Sequence, residues 1–208
     1  SVVVNQMHRS PGVFFDHDKG KTHASGKLLF NCRVIPNRGS WLDFEYDVKD
    51  FLYFKIDRKK KIFSSTLLLA LGYTKSEIVD EFYESEQYNF DPKTEKWKTK
   101  FNPENYKAKN FSEEVIDAKT GQVVIKLGDK INFLSAKKLA NDGLKDILVS
   151  RESLFGKFLH RDVKVNEEED GIFKIGTELN DTIIQQILDA NIHTLQISVT
   201  NSINKGPY

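Results

Sequence analysis

The chain has 208 residues, with 31 basic and 30 acidic side chains and a formal net charge of +1. A dedicated nucleic-acid binder is usually clearly basic, so this balance excludes a polyanion-binding surface that covers the whole chain. The 39% of hydrophobic residues can form the core of one large domain or two small ones. Cys32, the single cysteine, excludes an internal disulfide and predicts a cytoplasmic protein. The longest apolar run, residues 67–71, is far too short to cross a bilayer.

The first 66 residues are predicted to form strands and turns. Residues 2–4 are three valines, a pattern typical of a buried strand, and residues 27–35 are apolar enough for another. Residues 41–47 alternate apolar and acidic side chains, as half-buried strands do. Residues 51–57 follow after a short polar turn, which predicts an antiparallel hairpin.

Both ends of the chain are abrupt. The valine strand starts at residue 2, and residues 205–208 form a turn signal that leads to no further element. We therefore expect a piece of a larger protein.

Two short helices are predicted next. The Ser-Thr pair at residues 65–66 can cap a helix over 67–71 that Gly72 ends. Thr74 lies three residues before Glu77, the spacing of a capping box at the start of a second helix.

From residue 88 to residue 117 the pattern is weak. Turns are expected at 91–94 and 102–105, with a short hairpin packed by Trp97 and Phe101.

The last 90 residues contain an internal duplication with an offset of 48 positions. Residues 126–132 correspond to residues 174–180, and the two copies span about 121–150 and 171–199. Each copy predicts a strand, a glycine turn, a short helix and a second strand. Apolar positions that match at the same offset are Leu139 with Ile187, Leu144 with Ile192, and Ile147 with Leu195.

These elements predict an α+β fold. Mostly antiparallel strands form an N-terminal part over residues 1–75, and residues 76–208 add two related strand-helix-strand modules.

No catalytic constellation appears in the sequence. GxSxG, P-loop, GxGxxG and CxxC motifs are absent, and the five histidines show no metal-ligand spacing. The compact acid and histidine groups at 16–18 and 160–162 are better interpreted as surface turns. We therefore predict no catalytic residue, metal or cofactor in this chain.

Nucleic-acid contact has better candidates. Arg9, Lys21 and Arg58 can meet phosphates, and Trp41 can present an indole face to an unstacked base. Asp57 can accept a hydrogen bond from a base amino group. The competing interpretation, which the residues alone favour, makes Trp41 a core anchor and Asp57 a turn cap.

The N-terminal part closely resembles the lobe of the bacterial RNA polymerase β subunit. The resemblance is dense over about residues 2–75 and patchier afterwards. The middle of the chain is similar to the lineage-specific insertion found within many such lobes. The runs that carry the resemblance are residues 6–15, 18–22, 25–27, 36–45, 56–58, 71–73, 200–201 and 206–208.

The resemblance implies one pincer of a DNA cleft, beside downstream duplex and the non-template single strand. Trp41 resembles the tryptophan that stacks on a non-template base. Arg9 and Asp57 resemble residues of a neighbouring pocket for a flipped guanine, and Lys21 and Arg58 resemble basic residues along the path of the strand.

The resemblance also implies the surroundings of the chain. Val4 and Gln6 are similar to residues near the rifamycin pocket. The partners would be DNA, the rest of β, and the β′, α and σ subunits. The catalytic Mg²⁺ of the nucleotidyltransferase would sit in the β′ subunit, so this chain, alone a monomer, would be inactive. The insertion would be a surface docking platform.

Two other interpretations stay open. One is a free-standing protein-binding module without a nucleic-acid role, in which the duplicated units are the working part. The other is a small barrel enzyme, which lacks a convergent set of reactive residues.

Overall fold

The computed structural model separates the chain into two compact units, Ser1–Ile78 and Val79–Tyr208. We call them the first unit and the second unit. The strand pairs between described residues are antiparallel, and helices accompany them in both units, which confirms the α+β class. The structure describes residues 1–3, 9–18, 28–106, 109–110, 113–167 and 171–200, with the backbone alone at 109–110.

The first unit contains a described sheet of five antiparallel strands in chain order. The predicted hairpin is confirmed, because Leu42 lies opposite Ile56 and Tyr46 opposite Leu52. The strands are β1 (Gly12–His17), β2 (Phe30–Ile35), β3 (Leu42–Tyr46), β4 (Leu52–Ile56) and β5 (Ile62–Phe63).

The prediction of a buried strand at residues 2–4 is wrong for Val2 and Val3. Their side chains are 91% and 96% exposed. An apolar run becomes a strand only where a neighbour accepts its hydrogen bonds, and no described strand pairs with residues 1–3. Val4 lies outside the described residues.

Helix α1 (Ser64–Ala70) follows β5 directly. The predicted cap at residues 65–66 is therefore wrong, because both residues lie inside the first helical turn and the capping position is Phe63, without a side-chain bond. The predicted end is confirmed. Gly72 has a φ of 97° and its N–H donates to the Leu69 carbonyl over 3.1 Å.

Helix α2 (Lys75–Phe82) begins with the predicted capping box. The Thr74 N–H donates to Glu77 Oε2 over 2.6 Å, and the Glu77 N–H donates to Thr74 Oγ1 over 3.2 Å. These reciprocal bonds pair two donors that a helix start leaves open.

The second unit is built on a sheet of seven described strands, which are β6 (Ser85–Asp91), β7 (Lys96–Lys100), β9 (Val115–Asp117), β10 (Val123–Ile125), β12 (Asp146–Val149), β13 (Phe158–Leu159) and β16 (Thr194–Ser198). Their order in the sheet is β10-β9-β12-β7-β6-β16-β13. The central hairpin, β6 with β7, confirms the one predicted around Trp97. The Asp91 carboxylate shapes its turn by accepting bonds from the Lys93 N–H and the Thr94 hydroxyl.

Smaller elements complete the described part of this unit. Short 3-10 helices occupy Pro103–Tyr106 and Glu152–Leu154. Two further strand pairs are β8 (Lys109–Asn110) with β11 (Lys130–Ile131), and β14 (Val163–Lys164) with β15 (Ile172–Phe173). The longer helices are α3 (Phe133–Asn141) and α4 (Asp181–Asp189).

The two sequence repeats have the same local geometry. Asn132 accepts a hydrogen bond from the Ser135 N–H, and Asn180, 48 residues on, accepts one from the Ile183 N–H. The last strands of the two copies, β12 and β16, flank the central hairpin on opposite sides. The first strands of the two copies differ, because Val123–Ile125 belongs to the seven-stranded sheet whereas Ile172–Phe173 forms a separate antiparallel pair with Val163–Lys164.

The core of the second unit is continuous across both repeats. Trp97 has no exposed surface and lies in one cluster with buried residues of α3 and α4. Because both repeats contribute buried residues to this one cluster, neither repeat buries its apolar side chains by itself. No helix in the described ranges is long and apolar enough to span a membrane.

Candidate nucleic-acid interface

Trp41 and Asp57 close the open end of the β3–β4 hairpin. The Trp41 N–H donates to Asp57 Oδ1 over 2.8 Å, and the Asp57 N–H donates to the Trp41 carbonyl over 2.9 Å. Asp57 and Arg58 both have positive φ, 49° and 58°, and the Lys59 N–H reaches the Ile56 carbonyl over 3.0 Å. These angles are those of a type I′ turn. The turn therefore brings the predicted site residues Trp41, Asp57 and Arg58 together.

The Asp57 carboxylate is an acceptor that is already partly used. A hydrogen bond from the Ser40 side chain, and then the one from the Trp41 N–H, hold the pKa of Asp57 below its usual value. The residue is exposed. Its carboxylate therefore bonds to the residues that precede β3, and because it is exposed it keeps further lone pairs.

Three arginines of the described residues surround the Trp41 ring. Their guanidinium carbons lie 5.4 Å (Arg9), 5.4 Å (Arg33) and 5.9 Å (Arg58) from its centroid. These distances are within the range of a cation–π attraction. Trp41 is half-buried, while Arg9 and Arg58 are exposed. Proteins that bind single-stranded nucleic acids use the same combination, an aromatic face that stacks on a base and cations that contact the phosphates.

Arg33 is the member of this group that sequence reasoning missed. It lies on β2 opposite Asp43 on β3. Its Nε donates to Asp43 Oδ1 over 2.6 Å and its Nη2 to Asp43 Oδ2 over 3.3 Å. This hydrogen bond raises the pKa of Arg33. The alternation at residues 41–47 groups Asp43 with the acidic positions of the strand, so the sequence does not show that Asp43 is buried and pairs with a basic residue of the neighbouring strand.

The basic run at residues 58–61 divides into different environments. Lys61 Nζ lies 3.2 Å from Glu45 Oε1 and 4.5 Å from the Tyr53 ring centroid. Lys55 reaches the same carboxylate oxygen over 2.9 Å. Although burial alone would raise it, the pKa of Glu45 is lowered by hydrogen bonds from the two lysines. Lys61 therefore forms an ion pair within the sheet, while Arg58 lies at the Trp41 ring.

Three predicted site residues lie outside the described residues. They are Lys21 on the expected strand path, and Val4 and Gln6 near the expected rifamycin pocket.

The acid and histidine group at residues 160–162 is not the surface turn that the sequence indicated. His160 is 2% exposed. Its Nε2 lies 2.8 Å from Asp80 Oδ1 and its Nδ1 lies 2.9 Å from Ser198 Oγ. Arg161 holds both Asp80 oxygens at 2.7 Å and lowers the pKa of Asp80, with help from His160. A partner 80 residues away in sequence explains why the pattern did not show this burial.

His160 contacts a serine on one side and an aspartate on the other, the hydrogen-bond sequence of a hydrolase triad. The burial of the serine differs from that of an active-site nucleophile. Ser198 is buried, so no substrate can approach its hydroxyl. Among the described residues, no group of three or more His, Cys, Asp or Glu side chains can hold a metal ion.

The known proteins that this chain resembles are RNA polymerase subunits. The family model described as RNA polymerase Rpb2, domain 2, matches residues 9–146. The chain is 45% identical over 207 residues to the DNA-directed RNA polymerase subunit beta of Rickettsia felis, covering all of this chain and 15% of that protein. The subunit from Rickettsia prowazekii is 46% identical over 200 residues, 96% of this chain and 14% of that protein. The chain thus spans about 15% of the length of the curated relatives it matches.

Proposed function

Because the chain belongs to the family of RNA polymerase Rpb2, domain 2, we propose that it is part of the β subunit of a bacterial DNA-directed RNA polymerase. In the assembled nucleotidyltransferase its role is to handle DNA strands in the cytoplasm. The chemistry, with its Mg²⁺, belongs to another subunit. Its partners are DNA, the rest of β, and the β′, α and σ subunits.

The observation that carries the proposal is the half-buried Trp41 among exposed cations. Opening of a DNA duplex unstacks bases, and an aromatic face restores about 1–3 kcal/mol per base. Arg9 and Arg58, at 5.4 and 5.9 Å from the ring centroid, can move to phosphates of the same strand because both are exposed. Asp57 supplies an acceptor for a base amino group beside the stack. The group therefore suits an unpaired non-template strand, with downstream duplex beside it.

The proposal is tested with Trp41→Ala in the assembled polymerase. Loss of about 1–3 kcal/mol of stacking shortens the open-complex lifetime by roughly 5- to 150-fold. Trp41→Phe, which keeps an aromatic face, is the matched control and keeps most of the lifetime. An unchanged lifetime of Trp41→Ala complexes on several promoters would overturn the stacking role.

A free-standing binding module is the competing function, and the size of the native polypeptide separates the two. An antibody against this chain should detect a band far larger than 23.9 kDa that copurifies with transcription activity. A band near that mass would remove the non-template-strand roles of Arg9, Trp41 and Asp57.

The second unit supports a further role as a docking platform, because its two repeats differ on the surface. The outward face of α3 carries Leu134, which is 74% exposed, with Lys137 and Lys138 one turn on. The corresponding positions of α4 are Thr182, Gln185 and Gln186.

The α4 face is also occupied from within the chain. Arg151 Nη1 donates to Gln185 Oε1 over 2.8 Å, and Arg151 Nε lies 2.9 Å from Asp181 Oδ1. The α3 face instead combines an exposed leucine with two positive charges. Charge complementarity therefore favours one kind of partner, an acidic protein segment that carries an apolar side chain.

A further inference from the structure

The three arginines around Trp41 differ in what else they contact. Arg9 and Arg58 are exposed and form no ion pair with another described residue. Arg33 is held by both oxygens of Asp43, at 2.6 and 3.3 Å, and the Asp43 side chain is only 12% exposed. A planar guanidinium in a two-point bond to a nearly buried carboxylate has little freedom to reorient.

The strand register places this pair on the same face of the sheet as the indole. Arg33 lies directly opposite Asp43, and Trp41 precedes Asp43 by two residues, so their side chains leave the same face of the sheet. The backbone of Trp41 is tied to Asp57 on the other side, at the end of β4. Contacts from β2 and from the residue that follows β4 thus converge on Trp41.

We infer that Arg33 is a positioning residue for Trp41. Asp43 holds the Arg33 guanidinium 5.4 Å from the indole centroid, and the guanidinium holds the ring in one orientation before a base arrives. A ring that is already ordered loses less conformational entropy on binding, so a base stacks on it more tightly. Arg9 and Arg58 are exposed, so they can leave the Trp41 ring and contact phosphates of the bound strand. The inference rests on the proposed stacking function of Trp41.

A double-mutant cycle in the assembled polymerase tests the inference. Arg33→Gln should shorten the open-complex lifetime several-fold in the native background and leave it unchanged in the Trp41→Ala background. Asp43→Asn should reproduce Arg33→Gln. Arg33→Lys, which keeps the charge but loses the planar fork, should restore the lifetime only in part. Equal effects of Arg33→Gln in both backgrounds would show that Arg33 acts independently of Trp41 and would overturn the inference.

The matched control is Lys55→Gln. Lys55 forms the neighbouring cross-strand ion pair with Glu45, at 2.9 Å on the same sheet, but it is not one of the cations at the Trp41 ring. This variant removes the same charge and should leave the lifetime unchanged. A loss equal to that of Arg33→Gln would indicate a general effect on the sheet, which contradicts the inference.

A readout without DNA separates this inference from the proposed function. In the 208-residue chain with 5-fluorotryptophan, Arg33→Gln should broaden or shift the ¹⁹F resonance of Trp41 and spare that of Trp97. An unchanged Trp41 resonance overturns the positioning role. If this resonance responds while Trp41→Ala polymerase keeps its open-complex lifetime, the stacking function fails and the positioning of the ring by Arg33 stands.

Discussion

Trp41 and Asp57 hold each other through two hydrogen bonds, one from each main-chain N–H, across the end of the β3–β4 hairpin. One bond is between main-chain groups, and the other is stronger when the Asp57 carboxylate is ionised. The position of the Trp41 backbone therefore depends on the protonation state of Asp57.

The first prediction concerns this dependence on pH. Because hydrogen bonds from Ser40 and Trp41 lower the pKa of Asp57, its contribution to stability is complete above the ordinary aspartate value of about 3.9 and is lost as the pH falls through the lowered pKa. In a carboxyl NMR titration of the 208-residue chain, Asp57 should titrate below about 3.9. The Trp41 amide resonance should follow with the same midpoint.

Ser40→Ala provides the control for this titration. It removes the largest cause of the shift and should raise the pKa of Asp57 towards its ordinary value. A native midpoint at or above the ordinary value would contradict the hydrogen-bonded arrangement.

The second prediction separates the two tryptophans. Trp97 is fully buried, whereas Trp41 is half-buried. Acrylamide should quench mainly Trp41, so Trp41→Phe should remove most of the quenchable fluorescence. Trp97→Ala should lower the free energy of unfolding of the second unit by about 3–5 kcal/mol. Undiminished quenching in Trp41→Phe would mean that Trp97, and not Trp41, is the accessible tryptophan, which contradicts this assignment.

The third prediction uses the duplicated helix caps. Asn132→Ala and Asn180→Ala each remove a side-chain acceptor from a helix start, so each should lower the free energy of unfolding by about 1 kcal/mol in urea. Asn141→Ala is the matched control, since Asn141 is exposed at the other end of α3. Its effect should stay within about 0.5 kcal/mol. An equal loss from all three variants would argue against the caps.

Local pattern is sufficient to predict much of the fold. Alternation at residues 41–47 predicts β3, and the Thr74 spacing predicts the capping box, because both signals depend only on near neighbours. The offset of 48 residues relates Asn132 to Asn180 by sequence alone, and the two side chains do cap equivalent helices. The valine run fails as a signal at Val2, because an apolar run needs a neighbour and no described strand pairs with this one.

The candidate site is predictable only in part. Trp41, Asp57 and Arg58 follow from the resemblance, and the hydrogen bonds between Asp57 and Trp41 across the open end of the β3–β4 hairpin bring them together. Arg33 was missed because its place at the ring depends on strand register, which places Asp43 opposite it. The burial of His160 likewise depends on contacts distant in sequence. Such pairings depend on tertiary packing and leave no periodic pattern.

The fourth prediction concerns the second unit as a docking platform. Deleting about residues 76–200 from the assembled polymerase should spare basal transcription, because Trp41 and the arginines that we propose to contact the non-template strand lie in the first unit. Loss of basal activity would contradict the division of roles. The deletion alone does not identify the surface that a partner uses.

That surface is tested with a synthetic amphipathic peptide of glutamate and leucine as the probe for an acidic partner. It should shift the amide resonances of α3 and spare those of α4. Binding should weaken as the ionic strength rises, because the lysines are exposed. The double variant Lys137→Glu with Lys138→Glu should abolish the shifts. Its matched control, Gln185→Glu with Gln186→Glu, adds charge at the same places of the other repeat and should bind as before. Equal shifts in both helices, or binding that survives reversal of the α3 charges, would mean that the divergence between the repeats does not define a docking site.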